Sequence, residues 1–354
     1  LRLLAVLLLV PVAACGEDTT KPETAKSPTT AASSAPAPTG VTMIARKLQA
    51  PWSITFHRDV PLVSERDSAR ILELAADGQP REVARIDGVQ GDGEGGLLGI
   101  TAHEGYLYVY STAGSENRIQ RYRITGEPGG LGLQDPETLV SGIPAASNHN
   151  GGRLAFGPDG MLYATTGDSG EQDLAQDRDS LAGKILRMTP EGKAPADNPF
   201  PGSLVYSYGH RNPQGIAWAS DGTMYAAEFG QDTWDELNII KPGSNYGWPI
   251  VEGIGGDQRY ADPIREWAPA EASPSGIAIL GGNVYVANLR GERLRQVSIA
   301  DPSQETQHWE GRYGRLRDVV VAPDGSLWVL TNNTDGRGDP GPVDDRILRF
   351  APGG

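Results

Sequence analysis

One short pattern recurs six times along these 354 residues: an apolar run, a two-residue turn and a second apolar run. It occurs around Asp59 in FHRDVPLVSE, at Glu104-Gly105 in TAHEGYLYVYST, and at Asp159-Gly160 in FGPDGMLYATTGD. It returns at Asp221-Gly222 in WASDGTMYAAEFG, at Gly281-Gly282 in AILGGNVYVANLRG, and at Asp324-Gly325 in VAPDGSLWVLTNN. Apolar-polar alternation closed by such turns is the signature of a β-hairpin. The turn glycines fall roughly forty to sixty residues apart, the range of a four-stranded propeller blade. Further short strands are expected at Arg70–Ala75, Arg118–Ile124, Lys184–Met188, Glu236–Ile240, Leu294–Ile299 and Arg346–Phe350. Long amphipathic helical patterns are scarce, and 46 Gly with 27 Pro punctuate the chain. The expected fold is all-β, a six-bladed β-propeller with four-stranded antiparallel blades. The alternative is a β-sandwich with a second domain.

Charge excludes one class of partner. Against 45 acidic residues stand 31 basic ones, a formal charge of -14, whereas a binder of nucleic-acid backbones needs a basic face. The N-terminal region reads as an address label. Arg2 precedes the apolar run Leu3–Val12, too short to span a bilayer, which leads into Ala13-Ala14-Cys15-Gly16. Small residues directly before a cysteine resemble a bacterial lipobox. Residues 1–14 are therefore expected to be a lipoprotein signal peptide, with Cys15 lipidated as the only membrane attachment. Cys15 is the sole cysteine, so no internal disulfide can form. The Thr/Ser/Ala/Pro-rich stretch 15–40 reads as a disordered tether and 41–354 as the catalytic propeller, working outside the cytoplasm in the cell envelope.

Several motif matches fall away. Gly91–Gly96 fits G-x-G-x-x-G literally, but LLGITAHEGYLYVY after it is strand-like and offers no helix N-terminus to a pyrophosphate. The acidic run Asp168, Asp173, Asp177, Asp179 lacks the glycine of a calcium-binding EF-hand loop and reads as a solvated, capping turn. His57, His103 and His308 show no partner, which favours structural roles.

Candidate chemistry concentrates in polar segments at strand ends: GEGGLLG, NHNGGRL with Gly167-Asp168, GHRNPQG, EFGQDTWDELN with NYGWP, NLRG and GRLRDV. On a propeller they are expected beside the blade hairpins, at one mouth of the central channel. His149 precedes the first strand of one hairpin and Asp168 follows the second, so one hairpin end carries a base and an orienting carboxylate. Arg211, Arg290, Arg315 and Arg317 form an unusual cationic set. Arg315 and Arg317 alternate with Leu316 and so face one side of a strand. Two adjacent guanidiniums call for an anion between them, such as a ligand with several carboxylates or phosphates.

Jointly, GxGGLLG, NHxxGRLxxGPDG followed by GD, GHRNPQG, DELN with NYGWP, and RxRDV resemble the soluble pyrroloquinoline quinone (PQQ)-dependent aldose sugar dehydrogenases, the glucose/sorbosone dehydrogenase family. The resemblance covers nearly all of Leu48–Phe350 in the family's motif order. It implies oxidation of an aldose at C1 to the lactone. His149 takes the role of general base, Asp168 of its orienting carboxylate, and Arg211 and Asn212 of contacts to the quinone oxygens. It further implies that Arg290, Arg315 and Arg317 hold the PQQ carboxylates, and that the backbone carbonyls of Gly230 and Gln231 ligate a calcium ion (Ca2+). Glu94 stands among the cofactor-binding positions where the family has glutamine, which sets a charge beside His149. Gln231 replaces a frequent proline, and Arg290 a lysine found in some members. No C-x-x-C-H haem motif is present, so electrons would pass to an external acceptor. Two other readings stand beside this one: a propeller that binds a glycan or protein without turnover, and a calcium-dependent lactonase-type hydrolase recruiting Asn148, Asn212 and Asp168.

Overall fold

The computed structural model describes residues 40–352. The expected signal peptide, the Cys15 attachment site and nearly all of the tether lie outside the described residues. Six four-stranded sheets, antiparallel throughout, make up the fold. The innermost strands are Pro51–His57, Leu97–His103, Leu154–Phe156, Pro213–Trp218, Pro274–Leu280 and Leu316–Val321. Each touches the next, and the last touches the first, which closes the ring. This is the expected six-bladed β-propeller. All six repeated turns join an innermost strand to the second strand of its blade.

Burial explains why the second and third strands read so clearly. They lie between neighbouring blades and are covered on both faces. Leu162–Thr166, Lys184–Met188 and Met224–Glu228 are buried at every position. Between blades the apolar faces interlock: Tyr110, Leu162, Leu186 and Val205 share one cluster, and Tyr285, Leu316, Val319 and Val329 another. Each such side chain contributes about 1.5–3 kcal/mol, so the sum over blades holds the ring. The last blade takes its outermost strand from the other end of the chain, with Val41–Ala45 pairing with Ile347–Phe350.

Candidate active site

In every blade the start of the innermost strand and the end of the second strand lie at the same mouth, because the two run antiparallel. A cavity of about 420 Å³ opens there. Trp52 and Gln214 reach it from innermost-strand starts, while Glu94, His149 and Ser273 come from the loops just before such strands. Arg66, Phe229, Leu289 and Arg290 come from loops after second strands. The motif segments do gather at one mouth, but not beside the hairpin turns. They occupy the opposite ends of the same strands, since each turn is spent on closing its hairpin.

His149 Nδ1 and Asp168 Oδ1 are 2.7 Å apart. Asp168 is fully buried and also accepts bonds from the Gly170 N–H at 2.8 Å and from Trp248 Nε1 at 2.8 Å. Burial opposes its ionisation, but these three donors outweigh burial and hold the carboxyl below its ordinary value of 3.8. An ionised carboxylate only accepts, so Nδ1 carries the hydrogen toward Asp168, and in a neutral ring Nε2 is the nitrogen left as acceptor on a residue that lines the cavity. The backbone is shaped for this. His149 sits at φ 54°, and its carbonyl lies where a Cβ on Gly167 would come within 1.9 Å, so only glycine fits at 167. Of the acidic run, Asp168 alone is buried; Asp173, Asp177 and Asp179 are exposed, with Asp177 capping its own turn.

Six guanidiniums line the cavity, from Arg66, Arg211, Arg290, Arg315, Arg317 and Arg337, against two lining carboxylates, Glu94 and Asp235. Arg315 and Arg317 face the same side, as their alternation requires. The anion between them is partly the protein's own: Asp335 Oδ2 lies 2.9 Å from Arg315 and 3.7 Å from Arg317. This corrects the expectation that a ligand alone must bridge the pair, since a loop distant from neither arginine in space supplies a carboxylate. One carboxylate does not balance the set. Burial, with Arg315 and Arg66 adding to it against the pull of Asp335, brings Arg317 down to about 9. Arg211 Nε and Arg315 Nε are buried without a partner among the described residues. Arg290 is exposed and forms no ion pair among them. This donor set suits a polyanion whose carboxylates accept what Asp335 leaves over.

Glu94 does not meet the imidazole. Its Oε2 accepts the His149 backbone N–H at 3.0 Å, and its Oε1 pairs with Arg337 at 3.0 Å. The charge set beside His149 is therefore compensated by an arginine that the sequence reading did not single out. Burial would raise the Glu94 carboxyl, but the His149 N–H and the Arg337 guanidinium outweigh it and keep the pKa below 4.5. A group depressed in the folded state stabilises above its unfolded pKa, and that contribution is lost as pH falls through the folded value. The melting temperature of wild type should thus exceed that of Glu94→Gln at about pH 6, with the gap closing as pH drops toward about 3. A gap that stays constant across a thermal-melt series in this range would contradict the pairing.

At the 229–235 turn, Asp235 Oδ1 accepts the Gly230 N–H at 2.9 Å and Glu252 Oε1 accepts the Gln231 N–H at 2.6 Å. With their amides so engaged, the carbonyls of Gly230 and Gln231 accept no hydrogen bond among the described residues. A Cβ on Gly230 would stand 1.8 Å from the Trp234 carbonyl, so the turn requires glycine. Free carbonyls beside two carboxylates suit a hard, oxygen-seeking cation. Burial pushes Asp235 up to about 6. Asn212 is buried, its Oδ1 accepting the Gly151 N–H at 3.0 Å, which leaves its amide hydrogens as donors.

Trp52, Arg66, Asp335 and Arg337 are brought in only by folding, whereas Gln214, Asp235 and Trp248 come from the GHRNPQG, EFGQDTWDELN and NYGWP segments without having been named in them. Trp52 stands in a strand and Arg66, Asp335 and Arg337 in loops, and no local pattern marks any of the four. His57, His103 and His308 lie outside the cavity lining, with His103 stacked on Phe156 and His308 bonded to Gln296.

The sequence model of the Glucose / Sorbosone dehydrogenase family matches residues 48–348. Among solved structures, the PQQ-bound aldose sugar dehydrogenase of Streptomyces coelicolor matches with a TM-score of 0.84 and 50% identity, over 88% of this chain and 99% of that one. Aldose sugar dehydrogenase YliI of Escherichia coli is 28% identical over 85% of this chain and 92% of its own length. Quinoprotein glucose dehydrogenase B of Acinetobacter calcoaceticus is 32% identical over 62% of this chain and 54% of its own length.

Proposed function

The chain belongs to the glucose/sorbosone dehydrogenase family, and from that premise we propose that it oxidises an aldose at C1 to the lactone, with PQQ and calcium bound in the arginine-lined cavity. The observation that carries the proposal is an imidazole backed by an ionised carboxylate, with Nε2 left as acceptor, on a residue that lines a cavity with six guanidiniums. Arg290, Arg315 and Arg317 would hold the PQQ carboxylates. Arg211 and Asn212 would donate toward its quinone oxygens, and the Gly230 and Gln231 carbonyls would hold calcium. When bound, PQQ supplies a two-electron hydride acceptor and calcium a Lewis acid beside it. His149 Nε2 removes the proton of the anomeric hydroxyl, and Asp168 stabilises the imidazolium that results. Loss of that proton and of a hydride from C1 leaves the lactone, a two-electron oxidation of the sugar. The electrons then leave to an external acceptor.

The lactonase-type reading would need Asp168 and Asn212 to converge on a metal. Asp168 is committed to His149, Gly170 and Trp248, and the Asn212 oxygen to Gly151.

The test is dye reduction by the purified domain with a panel of aldoses, with and without added PQQ and calcium. Turnover that requires both additions is expected. Failure of PQQ to bind would remove the basis for the arginine assignments and return the propeller to the binding-module reading.

A further inference from the structure

A second histidine–carboxylate pair lies behind the cavity. Ser207 Oγ is 2.8 Å from His210 Nε2, and His210 Nδ1 is 2.8 Å from Glu228 Oε2. Ser207 and His210 are fully buried and Glu228 is 4% exposed. This group has the form of a hydrolytic Ser–His–Glu set, but no substrate can reach it. The His210 ring stacks on Tyr246 with centroids 4.6 Å apart and planes 20° from parallel. Tyr246 is itself pinned, its hydroxyl donating to the Ile239 carbonyl and accepting the Lys241 N–H.

The other oxygen of Glu228 accepts the backbone N–H of Arg211. On the other side of the same residue, the Asp168 N–H donates to the Arg211 carbonyl at 2.8 Å. The main chain of Arg211 is thus strapped at both ends, at one by the carboxylate His210 orients and at the other by the residue that orients His149. Its side chain makes one long hydrogen bond, Nη1 at 3.4 Å from the Phe229 carbonyl, leaves Nε unpartnered among the described residues, and lies over the Trp248 ring at 5.4 Å from its centroid. The direction of that guanidinium is therefore set by its backbone together with the Trp248 face, with no short side-chain hydrogen bond to fix it.

Resting on the functional reading above, we infer that His210 is a positioning residue: it fixes Glu228, which fixes the Arg211 backbone and so aims the Arg211 guanidinium into the cavity. His210 touches neither cofactor nor sugar, and its effect passes entirely through Arg211. A misplacement of about 1 Å at such a group costs on the order of 10²-fold in rate.

The experiment pairs a double-mutant cycle with a readout that needs no cofactor. His210→Leu removes both hydrogen bonds at similar volume. His210→Asn keeps a donor toward Glu228. In dye reduction with PQQ and calcium, His210→Leu should lower kcat by on the order of 10²-fold with sugar KM within about twofold. His210→Asn should recover much of the loss. The double variant with Arg211→Ala should be no slower than Arg211→Ala alone, because residues acting in series are non-additive. In the cofactor-free protein, hydrogen exchange of the Arg211 amide should accelerate in His210→Leu and return toward wild type in His210→Asn. Should His210→Leu not fold, Ser207→Ala takes its place, with a smaller loss that is again absorbed by Arg211→Ala. Multiplying losses in the double variant, or unchanged Arg211 exchange, would overturn the inference. If the wild type itself shows no PQQ-dependent turnover, the functional reading fails, while the exchange measurement still decides whether His210 holds Arg211.

Discussion

Asp168→Asn is expected to leave PQQ affinity within about twofold and to lower kcat by about 10³–10⁴-fold, the scale seen when a catalytic histidine is held in the wrong tautomer. The reason lies in the donors that surround this side chain. One oxygen accepts from His149 Nδ1 and the Gly170 N–H, the other from Trp248 Nε1. An asparagine has one oxygen to offer. Turned toward Gly170, it points its NH2 at the Trp248 N–H. Turned toward Trp248, it presents that NH2 to Gly170 and His149, and the imidazole can satisfy it only by moving its hydrogen to Nε2. The lone pair that would take the hydroxyl proton is then lost to the cavity. Stopped-flow turnover together with a PQQ titration separates the two quantities. A variant that loses cofactor affinity as much as kcat would show that Asp168 holds the cavity rather than the base.

Arg317→Met is expected to weaken PQQ binding by about 10–10²-fold, the worth of one charge-assisted hydrogen bond at about 1.5–3 kcal/mol. The cofactor-free protein should melt several degrees below wild type, so binding is compared at a temperature where the variant is fully folded. Arg317 is buried, shares Asp335 with Arg315, and donates to Asn332 Oδ1 at 2.9 and 3.0 Å and to Gln214 Oε1 at 2.8 Å. Removing one member of a buried, hydrogen-bonded charge set leaves its partners unsatisfied and destabilises the free protein as well. Arg290→Ala is the comparison. That side chain is exposed and screened by solvent, so its loss should weaken binding several-fold less. Calorimetric titration of both variants checks the order. A larger loss at Arg290 than at Arg317 would mean that the cofactor's carboxylates sit at the rim of the cavity and not against the buried pair.

The hairpins and the third strands were legible because they are sealed between blades. Lys184–Met188 matches its expected range in full, and the expected Arg70–Ala75 is Arg70–Leu74 in the structure. The outermost strands were not. Pro80–Arg85 has no buried position and Arg265–Trp267 has three residues, so neither carries an apolar period to read. The strand Val41–Ala45 is the extreme case, since its partner lies some 300 residues away in the chain and no local pattern can announce that pairing.

The candidate site divides along the same line. His149 and Asp168 are nineteen residues apart at the open end of one hairpin, and Arg315 and Arg317 flank Leu316 at the start of one strand, so short-range geometry was enough to pair them. By itself the sequence determined the blade count, the antiparallel hairpins, the histidine–carboxylate dyad and the concentration of arginine, because each is set by residues that are neighbours in the chain or on one strand. Only the closed ring decided that Arg337 neutralises Glu94 across 243 residues and that Trp248 meets Asp168 across 80. Asp335 and Glu228 lie on the same hairpins as Arg315 and His210, at separations of 20 and 18, where no local pattern names the partner. The two contacts between blades join loops far apart in the chain, and a loop's partner there is chosen by where closure of the ring carries it, a quantity with no signature in local composition.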